Sequence, residues 1–345
     1  MTRTVCTDAK RVLFDARPAD TCVTGIGRYA STLATLMRGL SGHFCWSLGR
    51  ELKWTPASPT QEELELPMLL EREAIDVFHS PLFHLPAIVP CRSIVTLHDA
   101  IPVVKPELSN PAFSRLFEEE ARDAVERTDA IVCPSEHAKN DVVTTLGVAA
   151  EKIHVIVETP APCFRVLERP SEREFFLVVG SLEKRKNPCV VLDALARFPE
   201  GKRPRVVFAG PAAGIDLVAE ARSRGVEKNV AHVGTVSDEE LVQLYNDAIA
   251  LVFPSLYEGF GLPILEAFAC GTPVIASNAA SVPEVAGSAA VLFDPADAAA
   301  LAGAIESLTE NRRDELKRLG FERLEHFTRQ RVCDQLAHLY SEIDG

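Results

Sequence analysis

The sequence predicts an α/β protein built from two Rossmann-like domains with parallel sheets. Three features predict it: short β-branched apolar runs recur along the chain, longer amphipathic stretches separate them, and a proline-rich charged segment interrupts the rhythm near the middle. Length agrees, because 345 residues is roughly twice an ordinary domain.

In the first half the apolar runs are RVLFDAR (11–17), IDVFHS (75–80), SIVTLHD (93–99), AIVCPS (130–135) and KIHVI (152–156). They lack strict polar alternation, as expected of strands covered on both faces. Between them, Arg28–Gly39, Phe113–Arg127 and Ser135–Leu146 read as helices. The segment VETPAPCFRVLERPSERE breaks this alternation and predicts a linker around 157–173, dividing the chain into domains 1–165 and 166–345. The rhythm then resumes with FFLVVGS (175–181), RVVFAG (205–210), VAHVG (230–234), AIALVFPS (248–255), PVIAS (273–277) and AVLFDP (290–295). Ser237 with Glu240 and Ser281 with Glu284 have capping-box spacing and predict helix starts, while the alanines at 298–300 predict a late helix. Open parallel sheets bind ligands beyond the carboxyl ends of their strands, so two such domains facing each other are expected to enclose a cleft.

Charge and cysteine usage exclude several classes. The chain has 36 basic and 49 acidic residues, net −13, with both halves acidic; a duplex nucleic-acid binder needs the opposite field. Its nine cysteines are scattered singly without a CxxC pair, against a disulfide scaffold or a zinc ribbon. No apolar run reaches the roughly 20 residues of a membrane span and the first residues carry no secretory core, so a cytoplasmic protein is expected. HExxH, GxSxG and GxxxxGK[ST] are absent, and so is DxD, so neither a metal nor a cofactor is expected.

The densest segment is EGFGLPILEAFACGTPVIAS (258–277). Gly259 and Gly261 permit close backbone approach to a ligand, Pro263 suits a first helical turn, and the amides of that helix start form an anion site. Glu258 and Glu266 flank it, and carboxylates repel phosphate but accept from vicinal hydroxyls. A ligand with a diphosphate between two polyhydroxylated rings matches, which is the layout of a nucleotide sugar. Upstream, GSLEKRKN (180–187) sets Gly180 at a strand end and Arg185 and Lys186 just beyond it, where they can clamp a diphosphate. Gly25 and Gly27 follow the first strand and precede a helix beginning near Arg28; with Ala30 the dinucleotide fingerprint is incomplete. His98 and Asp99 end another strand, and His79 is a weaker strand-end candidate.

Together with GIGRY (25–29), TLHD (96–99), GTVSDEEL (234–241) and SVPEVAG (281–287), these segments resemble the retaining glycosyltransferases of family 4, of GT-B architecture: two facing Rossmann-like domains and an intervening cleft. The resemblance covers nearly the whole chain and is strongest in the second half. It implies an acceptor-side first domain, a nucleotide-sugar-binding second domain, and a last helix that packs back on the first. It implies that Glu258 and His98 contact the donor sugar, Glu266 the ribose, and Arg185 and Lys186 the diphosphate, with Gly180, Gly259, Phe260, Gly261 and Leu262 around the nucleotide and Gly25 and Gly27 facing the cleft. Lys184 stands where a proline is common and Ser181 where some members carry arginine.

The expected reaction is metal-independent transfer of a hexose, mannose from GDP-mannose by preference and otherwise a UDP-sugar, to a hydroxyl of a glycan or lipid-linked acceptor. An epimerase or phosphorylase on the same fold, and a noncatalytic nucleotide-sugar binder, are the alternatives. The segment HFCWSLGRELKW (43–54), with both tryptophans, Arg50 and Lys53, reads either as an exposed aromatic-basic loop suited to weak peripheral contact with the inner membrane face or as aromatic residues buried in the first core.

Overall fold

The computed structural model describes residues 10–21, 25–37, 44–47, 59–168 and 174–343. The chain divides into two compact units: residues 1–159 together with 328–345, and residues 160–327. The division falls inside the proline-rich segment, and the last helix belongs with the first unit.

The first unit runs β1 (Arg11–Phe14), the single turn α1 (Pro18–Thr21), α2 (Gly25–Met37), β2 (Phe44–Ser47), α3 (Pro59–Arg72), β3 (Val77–Ser80), β4 (Arg92–Thr96), α4 (Ile101–Val104), α5 (Pro111–Arg127), β5 (Ala130–Cys133), α6 (Glu136–Leu146) and β6 (Ile153–Val155). The sheet order is β2-β1-β3-β4-β5-β6, every pair parallel. Strands β3 and β5 are buried along their whole length, as their unbroken apolar runs require. Helix starts follow local chemistry: the Asn110 side chain accepts from the amides of Ala112 and Phe113, and Ser135 Oγ from that of Ala138.

Two expectations for this unit need correction. Phe44–Ser47, expected either in an exposed loop or in the first core, is strand β2, paired in parallel with β1; Phe-Cys-Trp-Ser holds no Val, Ile or Leu, so no apolar run announces it. Residues 48–58, including Arg50, Lys53 and Trp54, lie outside the described residues. Gly25 and Gly27, expected before a helix starting near Arg28, belong to the first turn of α2.

The second unit runs β7 (Phe175–Val179), α7 (Pro188–Ala196), β8 (Arg205–Ala209), α8 (Leu217–Ser223), β9 (Val230–His232), α9 (Asp238–Asp247), β10 (Ala248–Phe253), α10 (Leu262–Ala269), β11 (Val274–Ser277), α11 (Val282–Ala286), β12 (Ala290–Phe293), α12 (Ala298–Glu306) and α13 (Glu310–Leu324). Its all-parallel sheet has the order β12-β11-β10-β7-β8-β9. Counted from the start of the unit this is the Rossmann order 3-2-1-4-5-6, whose direction reverses between β7 and β10. A crevice opens at such a switch point beyond the carboxyl ends of its two strands, and the segments leaving β7 and β10 are GSLEKRKN and PSLYEGFG.

The final helix, α14 (Arg329–Glu342), buries Val332, Leu336, Leu339 and Tyr340 in the same apolar cluster as Val12, Phe14, Leu33 and Met37 of the first unit. Tyr340 is completely buried, and its hydroxyl meets His79 Nδ1 at 2.7 Å.

Candidate nucleotide-sugar site

Glycines fix the strand ends that carry the site. Gly180 leaves β7 with φ +140°, and a Cβ there would press on the Lys186 stem at 3.3 Å. Gly210, at the end of β8, has φ +145°, and any Cβ on it would lie 2.1 Å from the Gly180 carbonyl oxygen. No side chain fits at Gly210, so the two backbones come as close as glycine alone allows.

The basic segment then forms a 3₁₀ turn over Lys184–Lys186, closed by Asn187 in the left-handed region at φ 53°. Asn187 Nδ2 donates to the carbonyls of Pro254, 3.2 Å, and Pro295, 2.9 Å, and the Leu256 amide donates to the Arg185 carbonyl at 2.8 Å. The turn is thereby tied to the segments leaving β10 and β12. Lys184 is exposed, while Arg185 and Lys186 turn inward. The position where proline is common is thus a solvated one.

Arg185 and Lys186 converge on Glu258. Lys186 Nζ lies 2.5 Å from Oε1 and Arg185 Nη1 2.7 Å from Oε2, and the carboxylate is only 8% exposed. Arg185 Nη2 also donates to Glu183 Oε1 at 2.8 Å, which accepts from Ser181 Oγ at 2.9 Å. The Lys186 ammonium sits 5.4 Å from the centre of the Phe253 ring. Burial alone would raise the Glu258 pKa, but the charges of Lys186 and then Arg185 overcome it and hold the carboxyl down at about 2. Burial lowers the pKa of Lys186 against the opposing pull of the Glu258 carboxylate, and the like charge of Arg185 lowers it further.

The loop bearing Glu258 is buried from Tyr257 to Leu262 and is held by Ser281, whose hydroxyl lies 2.8 Å from both the Glu258 and the Phe260 carbonyls. Ser281 therefore does not cap α11 as its spacing predicts: its backbone is already helical, at φ −73° and ψ −11°, and its hydroxyl is engaged elsewhere. Ser237 and Glu240 do form the expected capping box on α9. Gly261, at φ +120°, leads into α10 with no side-chain cap on that helix start. Within α10, Glu266 is 2% exposed and accepts from the Tyr245 hydroxyl at 2.8 Å. The structure thus gathers Gly180, Arg185, Lys186, Glu258, Gly259, Phe260, Gly261, Leu262 and Glu266 along the segments leaving β7 and β10 and the helix that follows. Sequence reasoning missed Glu183, Asn187, Tyr245 and Ser281 as their supports.

In the first unit, His98 lies two residues beyond β4. Its Nε2 is 3.1 Å from the Pro81 carbonyl, its Nδ1 3.5 Å from Glu158 Oε1, and the Tyr29 ring meets it edge-on at 4.6 Å. Asp99 Oδ1 accepts from the Ile101 amide at 3.0 Å, at the start of α4. Tyr29 belongs to the same α2 start as Gly25 and Gly27, where Gly25 is exposed with open space in place of a Cβ. His79 is not a strand-end ligand candidate: it is fully buried between Tyr340 and Thr96 Oγ1, the latter at 2.9 Å, and burial, then the neighbouring His98, lower its pKa to about 3. Among the described residues no helix is long and apolar enough to cross a membrane.

Comparison with known proteins agrees with this layout. Residues 163–323 match the family model of glycosyl transferases group 1, and residues 24–157 that of glycosyltransferase family 4. An O-antigen chain mannosyltransferase B of Escherichia coli is 30% identical over 244 residues, covering 66% of this chain and 64% of the relative. A serotype-specific mannosyltransferase WbdA of the same species is 31% identical over 203 residues, 53% of this chain and 25% of the relative. The chain thus spans under two thirds of one curated relative and a quarter of the other. Among solved structures, the sucrose-phosphate synthase of Thermosynechococcus elongatus superposes with a TM-score of 0.78 at 19% identity over 97% of this chain and 99% of that one. The glycosyltransferase WaaG gives 0.70 at 14% identity, over 96% and 100%. With the two family models in tandem over most of its length and the GT-B fold of these neighbours, the chain belongs to the family 4 glycosyltransferases.

Proposed function

We propose that the protein is a retaining, metal-independent hexosyltransferase that moves mannose from GDP-mannose to a hydroxyl of a glycan or lipid-linked acceptor in polysaccharide synthesis. The observation that carries the reading is the buried cluster of Arg185, Lys186 and Glu258 beside the uncapped start of α10. Departure of a nucleoside diphosphate builds negative charge on an oxygen while the sugar becomes oxocarbenium-like, and fixed donors at the leaving group lower that barrier most. Arg185, Lys186 and the α10 amides supply them, so charge neutralisation at the leaving group needs no metal ion.

Glu258 pairs with both cations. An arriving diphosphate competes for them, and the released carboxylate becomes an acceptor for sugar hydroxyls. Glu266, which accepts from the Tyr245 hydroxyl, is the carboxylate this reading assigns to the ribose hydroxyls. The mannosyltransferase relatives support mannose; a solved neighbour, Anabaena HepE in complex with UDP-glucose, TM-score 0.76 at 17% identity, keeps a UDP-hexose as the second reading. The test is transfer by the purified chain with GDP-mannose and UDP-hexoses, comparing wild type with Lys186→Met. Loss on the order of 10²–10³ in kcat with the fold retained is expected; near-normal transfer by the variant removes Lys186 from the site, and formation of an epimer or a sugar phosphate instead of a glycoside overturns the reaction class.

A further inference from the structure

The apolar stripe of α5 outruns the core it packs on. Phe117, Ala121, Ala124 and Val125 bury its inner face, yet Phe113, one turn earlier on that face, is 44% exposed, with Leu116 beside it at 47%. The overhang lies beyond the carboxyl ends of the first sheet, where parallel sheets bind ligands: α5 begins there after β4 and α4, and Phe83 stands three residues past the end of β3. The Phe83 ring is 4.8 Å from that of Phe117 and meets the Phe113 ring edge-on at 6.0 Å. Phe83 also packs against the buried cluster of this unit, so the exposed ring is backed by the core.

A polar rim adjoins the rings. His84 meets Phe83 edge-on at 5.9 Å, and its Nδ1 is 4.0 Å from Glu120 Oε2, both side chains being part-exposed. Glu118 is paired with Arg122 at 2.9 Å, which leaves Glu119 and Glu120 against one cation, Arg115, along Pro111–Glu120. That balance disfavours a phosphate or an anionic headgroup and suits hydroxyls, which a carboxylate accepts from. An uncharged pyranose fits both features: its C–H face packs on an aromatic ring and its hydroxyls reach the rim.

We propose that Phe113, backed by Phe83, is a stacking platform for an uncharged pyranose of the acceptor glycan, with Glu120 and His84 taking its hydroxyls. The inference deepens the proposed function by naming the chemistry of the acceptor, and rests on that reading for the glycan's being an acceptor.

The test is calorimetric binding of an α-linked mannotriose to the full chain without donor, with KM for the same trisaccharide in transfer. Phe113→Leu, which keeps apolar bulk but no ring face, is expected to weaken binding and raise KM about tenfold, with kcat and donor affinity as in the wild type. Phe113→Tyr is expected to restore both. Glu120→Ala, on the helix surface, reads the same site without disturbing the rings and is expected to weaken binding in the same direction. Met68→Ser, which removes an exposed apolar side chain of α3, is expected to change neither quantity. No binding by the wild type, or binding unchanged in Phe113→Leu and Glu120→Ala, overturns the inference. So does a Phe113→Leu defect that shows instead as lost sedimentation with phosphatidylglycerol vesicles or as a dimer turned monomer. In each of these cases glycoside formation by the wild type leaves the proposed function standing. A chain that binds the trisaccharide through Phe113 but transfers no sugar keeps the platform and overturns the proposed function.

Discussion

At the scale of single residues, the chemistry concentrates in Glu258 and its two cations. Removing one partner of a buried ion pair costs up to about 3–5 kcal/mol, less at Lys186 because Glu258 keeps Arg185, so each variant of Lys186 or Glu258 is melted as well as assayed, and changes that keep the side-chain volume are better probes than alanine. The depressed pKa of Glu258 fixes the sign of a pH effect. A carboxyl held at about 2 against an ordinary 4.5 contributes stability that is complete above pH 4.5 and is lost as pH falls toward 2. Denaturant unfolding between pH 6 and 3 is expected to show this acid-side loss in the wild type and a shallower one in Glu258→Gln; parallel curves contradict the pairing. Ser281 gives a second prediction. Ser281→Ala removes the one O–H that two buried carbonyls share and is expected to lower stability by about 1–3 kcal/mol and transfer with it. Ser237→Ala removes only a helix cap, costs about 1 kcal/mol and leaves transfer unchanged. Thermal melts and rates on the same preparations separate the two.

At the scale of elements, the site depends on how closely the ends of β7 and β8 approach and on the glycine entry to α10. Gly210→Ala sets a Cβ against the Gly180 carbonyl and is expected to destabilise by well over ~1 kcal/mol, whereas the same change at a compatible site stabilises. Gly261→Ala meets the Ile264 side chain at 3.3 Å and the Phe253 ring at 3.7 Å, so its main penalty is the φ of +120°. Solubility and melting of the two variants are expected to rank in that order. Much of this layer was legible in the sequence. Eleven of the twelve strands among the described residues are the apolar runs picked out by composition, because strands buried on both faces of a parallel sheet carry unbroken Val, Ile, Leu and Phe. Strand β2 was not legible, because Phe-Cys-Trp-Ser carries none of the Val, Ile or Leu that mark the other runs. Ser281 shows the limit of local rules: its spacing to Glu284 fits a capping box, yet a helical backbone sends its hydroxyl to carbonyls more than twenty residues away. Tyr245 on Glu266, and Glu158 on His98, join segments that no periodicity connects.

At the scale of the whole molecule, the chain is two Rossmann-like units of which the first is discontinuous, since α14 completes a core begun by β1 and α2. The join is the buried hydrogen bond of Tyr340 with His79 across 261 residues of sequence. Tyr340→Phe leaves one face of His79 unsatisfied and is expected to lower the stability of the first unit by about 1–3 kcal/mol while sparing the second; hydrogen exchange resolved along the chain checks which unit loosens. The same histidine sets an acid limb. With a folded pKa of about 3 against 6.5, it stays neutral in the native state while the unfolded chain takes up a proton, so its contribution is complete above pH 6.5 and falls away toward pH 3. The first unit is accordingly expected to begin losing stability at higher pH than the second, where Glu258 titrates. Separate tryptic or exchange-based midpoints for the two units from pH 7 to 4 check that order.

The account turns on where a donor's diphosphate settles. A crystal structure of the protein with a non-hydrolysable nucleotide sugar measures it directly. The expected result has phosphate oxygens within hydrogen-bonding distance of Arg185, Lys186 and the first amides of α10, Glu258 turned from those cations toward the sugar, and the ribose on Glu266. A diphosphate bound elsewhere, with Glu258 still paired to Lys186 and Arg185, contradicts the account.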